Sequence, residues 1–141
     1  MALNITYSEN PTEADREAVL APLREYNRSR GGDPRARPVA LILSDDQGAK
    51  LGGLWGRISY DWLFVELLAV PEAHRGGGYG AKLMRAAEDQ ARAAGCVGVW
   101  LDTFEFQARG FYEKLGFEVF GALDDHPVGG RRFFLRKRLV D

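Results

Sequence analysis

A chain of 141 residues, 45% hydrophobic and with a formal charge of -1, is sized for one domain and can bury a core without disulfides or metal. The near-neutral charge argues against a nucleic-acid partner, one cysteine and two histidines argue against a zinc site, and no apolar run is long enough to cross a membrane. Met1 to Thr6 lacks a basic region followed by an apolar core, so no secretory signal is expected, and the chain reads as a cytoplasmic protein with a single domain over residues 1–141.

In chain order, Leu3 to Tyr7 alternates apolar and polar residues and predicts a short strand. Thr12 is the expected N-cap of a helix with Glu13 and Asp15 in its first turn and Val19, Leu23 and Tyr26 at helical spacing. Pro22 predicts a kink or two short helices, and Ser29 to Arg37 reads as a loop. Val39 to Leu43 and Ala49 to Trp55 flank Asp45-Asp46-Gln47-Gly48 and predict a hairpin, with a bulge or close backbone approach at Gly52-Gly53. Trp62 to Val70 carries a single polar residue, Glu66, and predicts a strand covered on both faces. Leu83, Met84, Ala87, Ala91 and Ala94 form the stripe of a helix that Gly95 ends, and Val97 to Leu101 is the next strand, which implies a parallel pair. Cys96 lies in that apolar segment and reads as a small buried hydrophobe. Gln107 to Leu115 predicts a helix closed by Gly116, followed by a strand at Phe117 to Phe120, a turn-rich connection and a last strand at Arg132 to Leu139.

One stretch organises the rest. Between the strand ending at Val70 and the helix beginning near Ala81 stands Arg75-Gly76-Gly77-Gly78-Tyr79-Gly80, whose glycines leave backbone N–H groups unshielded at a helix N-terminus. That is the chemistry of a phosphate cradle. A dinucleotide fingerprint fits Gly76-x-Gly78-x-x-Ala81 formally, but Pro71 to Arg75 separate it from the strand, and the hairpin-rich first half does not supply the repeated parallel units of that fold.

Leu68-Ala69-Val70-Pro71, Arg75-Gly76-Gly77-Gly78-Tyr79-Gly80 and Ala108-x-x-Phe111-Tyr112-Glu113-Lys114-Leu115-Gly116-Phe117 together resemble the GNAT superfamily of acetyl-CoA-dependent N-acetyltransferases. The resemblance implies an α/β (α+β) fold with a mixed, mostly antiparallel sheet of six to seven strands, helices on both faces and a splayed parallel pair in the middle. It implies acetyl-CoA as co-substrate, held by Leu68, Ala69, Val70, Arg75, Gly76, Gly77, Gly78, Tyr79, Gly80, Ala81 and Lys114. Tyr112 matches the family's general acid. Where many members carry Asn, this chain has Glu105, which is expected to face the substrate amine instead.

Amine acetylation needs a base, because an alkylamine with a pKa near ~10 is mostly protonated at neutral pH. Glu66 is the candidate, as a carboxylate in an apolar strand is costly to bury unless paired or working, and burial would raise its pKa into a useful range. A backbone N–H near Leu68 would stabilise the oxyanion. Trp55, Trp62 and Glu105 are the candidate acceptor contacts, and Glu66, Asp102 and Glu105 together would suit a cationic amine. The expected acceptor is a small amine, amino acid or peptide, with no nucleic acid, membrane or metal involved. The arginine-rich last strand would serve a homodimer or face water. A non-catalytic acyl-CoA-binding module and an oxidoreductase fragment are the competing readings.

Overall fold

The computed structural model describes residues 1–141, and the chain divides into two compact units, Met1–Pro34 and Arg35–Asp141. In the first unit one helix, α1 (Glu13–Gly31), begins with a capping box: the Thr12 hydroxyl accepts from the Asp15 N–H at 3.1 Å and the Asp15 carboxylate accepts from the Thr12 N–H at 2.9 Å. Pro22 sits inside this continuous helix rather than dividing it, and the Arg24 to Glu17 pair at 2.9 Å ties the turns on either side of it. The helix also consumes the start of the predicted loop, running to Gly31 before Gly32 caps it at φ 77°. Leu3 to Tyr7 forms no strand. Alternation supplies a face, but a strand also needs a ladder partner, and Leu3, Ile5 and Tyr7 are all exposed.

The second unit is built on six strands: β1 (Arg37–Ser44), β2 (Lys50–Ser59), β3 (Trp62–Ala69), β4 (Gly98–Phe104), β5 (Glu118–Asp124) and β6 (Arg131–Arg138). Their order in the sheet is β1-β2-β3-β4-β6-β5, and only β3 and β4 run parallel. The parallel pair is crossed over by α2 (Tyr79–Ala93), and a short α3 (Arg109–Lys114) follows β4. Strand β4 runs on to Phe104, beyond the predicted end near Asp102, because its outer half keeps a full ladder to β6 after β3 has left it. At the sheet's edge β5 is longer than predicted and exposed along nearly all of its length.

The core forms where α2 lies on the sheet. Leu83, Met84, Ala87 and Ala91 of α2 pack with Leu54 and Ile58 of β2, Leu63 and Val65 of β3, Val99 and Leu101 of β4, and Phe133 and Leu135 of β6. Cys96 is buried as expected, and that burial pushes its thiol upward, against a nucleophile's need. The one buried carboxylate, Glu88 on α2, accepts from the Lys137 ammonium at 2.9 Å and so fastens the helix to β6.

Close backbone approach explains Gly52 and Gly53. A Cβ on Gly52 would overlap the Ala69 carbonyl, and one on Gly53 would overlap the Leu41 carbonyl.

Candidate active site

The site begins where the parallel pair comes apart. Ladder pairing runs from Trp62 opposite Gly98 to Val65 opposite Leu101 and stops there. Beyond that point β3 stays with β2 and β4 stays with β6, so a wedge opens between them. The cause is local. Gly56 of β2 pairs with Val65 and Trp55 with Leu67, which leaves Glu66 as one extra residue in β3. A bulge of this kind bends its strand and disrupts the ladder. It also slips the buried face by one position: Leu63 and Val65 point into the core before the bulge, and Leu68 and Val70 pack against it afterwards.

The bulge places Glu66 in the wall of the wedge as an exposed side chain, not a buried one. Glu66 is therefore not desolvated as its apolar neighbours suggest, and what singles it out is its position at the bulge in the cleft wall. Past the bulge, the Ala69 carbonyl faces β2, since it lies where a Cβ on Gly52 would stand. Alternation along the strand then turns the backbone groups of Leu68 and Val70 away from β2, toward the split. The Val70 carbonyl is taken by the Arg75 Nε–H at 3.0 Å, which draws the loop back against the strand end.

That loop closes one end of the wedge. Gly76 and Gly78 have φ of 85° and 79°, and nothing stands within 4 Å of a Cβ at either, so backbone conformation rather than crowding calls for glycine there. Gly78 is also the N-cap of α2 and contributes no side-chain cap, so the first-turn N–H groups of the helix have no such partner. At Gly80 the reason is contact: a Cβ would stand 3.1 Å from the Phe111 ring of α3. The Lys82 ammonium lies over the Tyr79 ring, 5.1 Å from its centroid.

The cleft so formed has a volume of about 1160 Å³ and is lined by the end of β3 from Val65 to Ala69 with Val70 just past it, by Arg75, Gly76, Gly78, Tyr79, Gly80 and Ala81, by β4 from Leu101 to Phe104, and by Phe106 to Ala108 with Phe111 and Tyr112. Tyr112 is half-buried, edge-on to Phe111 and Phe117 at 5.0 and 6.1 Å between centroids. Burial first, and the Asp102 carboxylate second, push its phenol above the ordinary value. Tyr112 therefore lines the wedge with its phenol held in the protonated form.

Glu66, Tyr112, Leu68, Ala69, Val70, Arg75 and all of Gly76 to Ala81 except Gly77 share this cleft. Trp55, Trp62, Lys114 and Glu105 are not among its lining residues. Trp62 lies at the opposite, zipped end of β3, where its ring covers Gly98. The Glu105 carboxylate lies 3.6 Å from Arg131. The Gln107 amide oxygen accepts from the Thr103 hydroxyl at 3.0 Å and the Phe104 N–H at 2.8 Å, fixing the turn from β4 into α3.

No motif marks two further residues of the site: Phe106, 73% exposed in the cleft and stacked on Phe104, and Arg132, which holds Asp102. Their signal lay in register rather than in motif, since Asp102 is the first residue of β4 past the last pair with β3.

The chain matches the model of the acetyltransferase (GNAT) family over residues 3–117. It is 36% identical over 136 residues to acetyltransferase Atu2258 of Agrobacterium fabrum, covering 96% of this chain and 99% of that one. It is 38% identical over 108 residues to the blasticidin-S acetyltransferase of Streptomyces morookaense, covering 74% and 79%. Among solved structures, an acetyltransferase from Bacillus cereus superposes with a TM-score of 0.84 at 33% identity, covering 95% of this chain and 98% of that one.

Proposed function

The chain belongs to the GNAT acetyltransferase family, and we propose that, as a single N-acetyltransferase domain, it moves the acetyl group of acetyl-CoA to a primary amine of a small molecule, amino acid or peptide by direct attack, with Glu66 as base and Tyr112 as acid. The observation that carries this reading is the parting of β3 from β4 after Val65 and Leu101, with a glycine loop at one end of the split and a proton donor, Tyr112, beside it.

Bound acetyl-CoA supplies the acetyl group as an activated thioester. The residues present suit such a group. Leu68 and Val70 offer outward backbone groups to an extended arm, much as a sheet accepts an added strand. Gly76 to Ala81 offer N–H groups and a helix N-terminus to a pyrophosphate.

The Glu66 carboxylate takes the proton from the acceptor nitrogen, directly or through one water, so that a lone pair is free for attack at the acetyl carbon. The Leu68 N–H donates to the acetyl oxygen as it gains charge. The Tyr112 hydroxyl delivers its proton to the sulfur as the carbon–sulfur bond breaks, and its raised pKa keeps that proton on the phenol across the neutral range. Starting from the ammonium, the acceptor nitrogen gives up two protons and gains the acetyl group: one goes to Glu66 before attack, the other restores the proton that Tyr112 has given to the sulfur, and the sulfur leaves as a thiol.

Thermal shift with acetyl-CoA, CoA and NAD, followed by thiol release over a panel of amines, tests the reading. Melting should rise with the first two ligands and not with NAD, and no rise with acetyl-CoA would overturn it.

A further inference from the structure

The wedge has a second carboxylate. Val65 and Leu101 are the last residues of β3 and β4 to pair, so Glu66 and Asp102 are the first residues past the fork, one on each side. Both line the cleft.

Asp102 is built differently from Glu66. Its Oδ1 accepts a hydrogen bond from Arg132 Nε at 3.0 Å, and a terminal nitrogen of the same guanidinium lies 2.7 Å away as an ion pair. Arg132 is itself held on several sides. It lies over the Phe104 and Phe134 rings, 5.4 Å from each centroid, and its other terminal nitrogen meets His126 Nε2 at 3.4 Å. His126 in turn stands edge-on to Phe104 at 5.3 Å. All of this fixes one oxygen of Asp102 and leaves Oδ2 with no hydrogen bond from the chain; since no side-chain oxygen of the protein is both sealed and unsatisfied, Oδ2 is an accessible acceptor on a residue that lines the cleft. In the same cleft the Phe106 ring is backed by Phe104 at 5.2 Å in a stacked pair, while 73% of the residue remains exposed.

We propose that Asp102 Oδ2 and the Phe106 ring form a subsite for a second cationic group on the acceptor, so that the enzyme prefers an amine with a distal ammonium or guanidinium over one with a neutral or anionic tail. A carboxylate oxygen and an aromatic face are the two groups that recognise an organic cation. Arg132 is the positioning residue: it holds Asp102 in one rotamer and does not itself meet the acceptor. The subsite rests on the acetyl-transfer reading given above and adds a substrate class to it.

Putrescine with longer diamines, n-butylamine and γ-aminobutyrate present a primary amine with a cationic, neutral or anionic tail, and thiol release from acetyl-CoA gives kcat/KM for each. Wild type should favour the diamines over butylamine by about tenfold or more, the scale of a hydrogen bond to a charged group, and γ-aminobutyrate should be the poorest. Asp102→Asn should erase that preference by raising KM for diamines, read as the diamine-to-butylamine ratio of kcat/KM, in which any change the lost carboxylate works on the Tyr112 phenol is common to both amines and cancels. Phe106→Ala should weaken the preference in part, and Arg132→Lys should preserve more of it than Arg132→Gln. Equal use of diamine and butylamine by wild type, an unaltered ratio in Asp102→Asn, or acetyl-CoA binding without turnover of any diamine would overturn the subsite. Absence of acetyl-CoA binding would instead bring down the acetyl-transfer reading beneath it.

Discussion

The two halves of the β3–β4 pair follow opposite rules within one pair of strands. In the zipped half, Leu63, Val65, Val99 and Leu101 are buried under α2, while Phe64 and Trp100 stack at 4.2 Å. In the open half, Glu66 and Leu67 are exposed, Asp102 turns to Arg132, and the backbone of Leu68 has no strand beside it on that edge. The first half supplies stability from apolar area and the second gives up a run of ladder bonds for a place where a ligand can lie. One bulged residue, Glu66, separates the two, and it is also the residue proposed to do chemistry.

The largest expected effect falls on the zipped half. Leu63, fully buried, should lose about 2–5 kcal/mol of unfolding free energy as Leu63→Ala, read from the denaturation midpoint at unchanged slope. Glu66→Gln, three residues along the same strand, should leave that midpoint within about 0.5 kcal/mol of wild type, as surface changes do. If Glu66→Gln proves as destabilising as Leu63→Ala, the division between the halves is wrong.

Activity should divide the other way. Glu66→Gln and Tyr112→Phe are each expected to lower turnover by about 10² or more while acetyl-CoA affinity stays close to wild type. Wild-type turnover in both variants would remove the assigned roles. Loss of cofactor affinity in step with turnover would make Glu66 a structural part of the bulge instead.

Much of this contrast was legible in the sequence, and the exceptions have physical reasons. The glycine loop and the Tyr112 helix could be read because their chemistry is local: positive φ at Gly78 and a helix start after it are properties of neighbouring residues. The exposure of Glu66 was not legible, because Val65-Glu66-Leu67-Leu68-Ala69-Val70 reads as one buried run, whereas the burial phase slips inside it. The slip depends on β2, whose Trp55 and Gly56 choose which residues to pair with, and no periodicity within β3 encodes that choice. The Asp102 to Arg132 pair spans 30 residues and forms only through the β4–β6 register, in which Phe104 opposes Arg132. Likewise, Leu3 to Tyr7 had the pattern of a strand and lacked what pattern does not provide, a neighbour's hydrogen bonds.

The loop glycines allow a finer cut. Gly78→Ala places a side chain at φ 79° with open space around it, so its cost of about 1–2 kcal/mol is purely conformational, and melting should fall by that amount with or without ligand. Gly80→Ala has no φ problem but meets Phe111 at 3.1 Å, so the first turn of α2 or the Phe111 ring must shift. That variant should alter acetyl-CoA affinity more than it alters stability. The reverse pattern would mean that the loop is a scaffold and the cradle lies elsewhere.

The smallest expected effect is a difference in alkaline stability between the two halves. In the open half, burial and then Asp102 push the Tyr112 phenol up, so the folded protein keeps that proton to higher pH than the unfolded chain does. The stability this gives is fully present below the unfolded value of about 10 and is lost as pH rises through the folded one. The unfolding free energy of wild type minus that of Tyr112→Phe should therefore be flat below about pH 10 and fall above it. Asp102→Asn removes the second cause, so the fall should begin at the same pH but end sooner and be smaller. At the foot of the zipped half, Cys96 is pushed up chiefly by burial, with the same sign and an earlier window that opens near the ordinary thiol value of about 8.5. Measuring the Tyr112 difference in a Cys96→Ala background separates the two titrations, since only the Tyr112 window should remain. Parallel curves for Tyr112→Phe and its Cys96→Ala parent across the alkaline range would mean that the phenol is no more protected in the fold than in the unfolded chain, and Tyr112 would lose its standing as the held proton donor of the wedge.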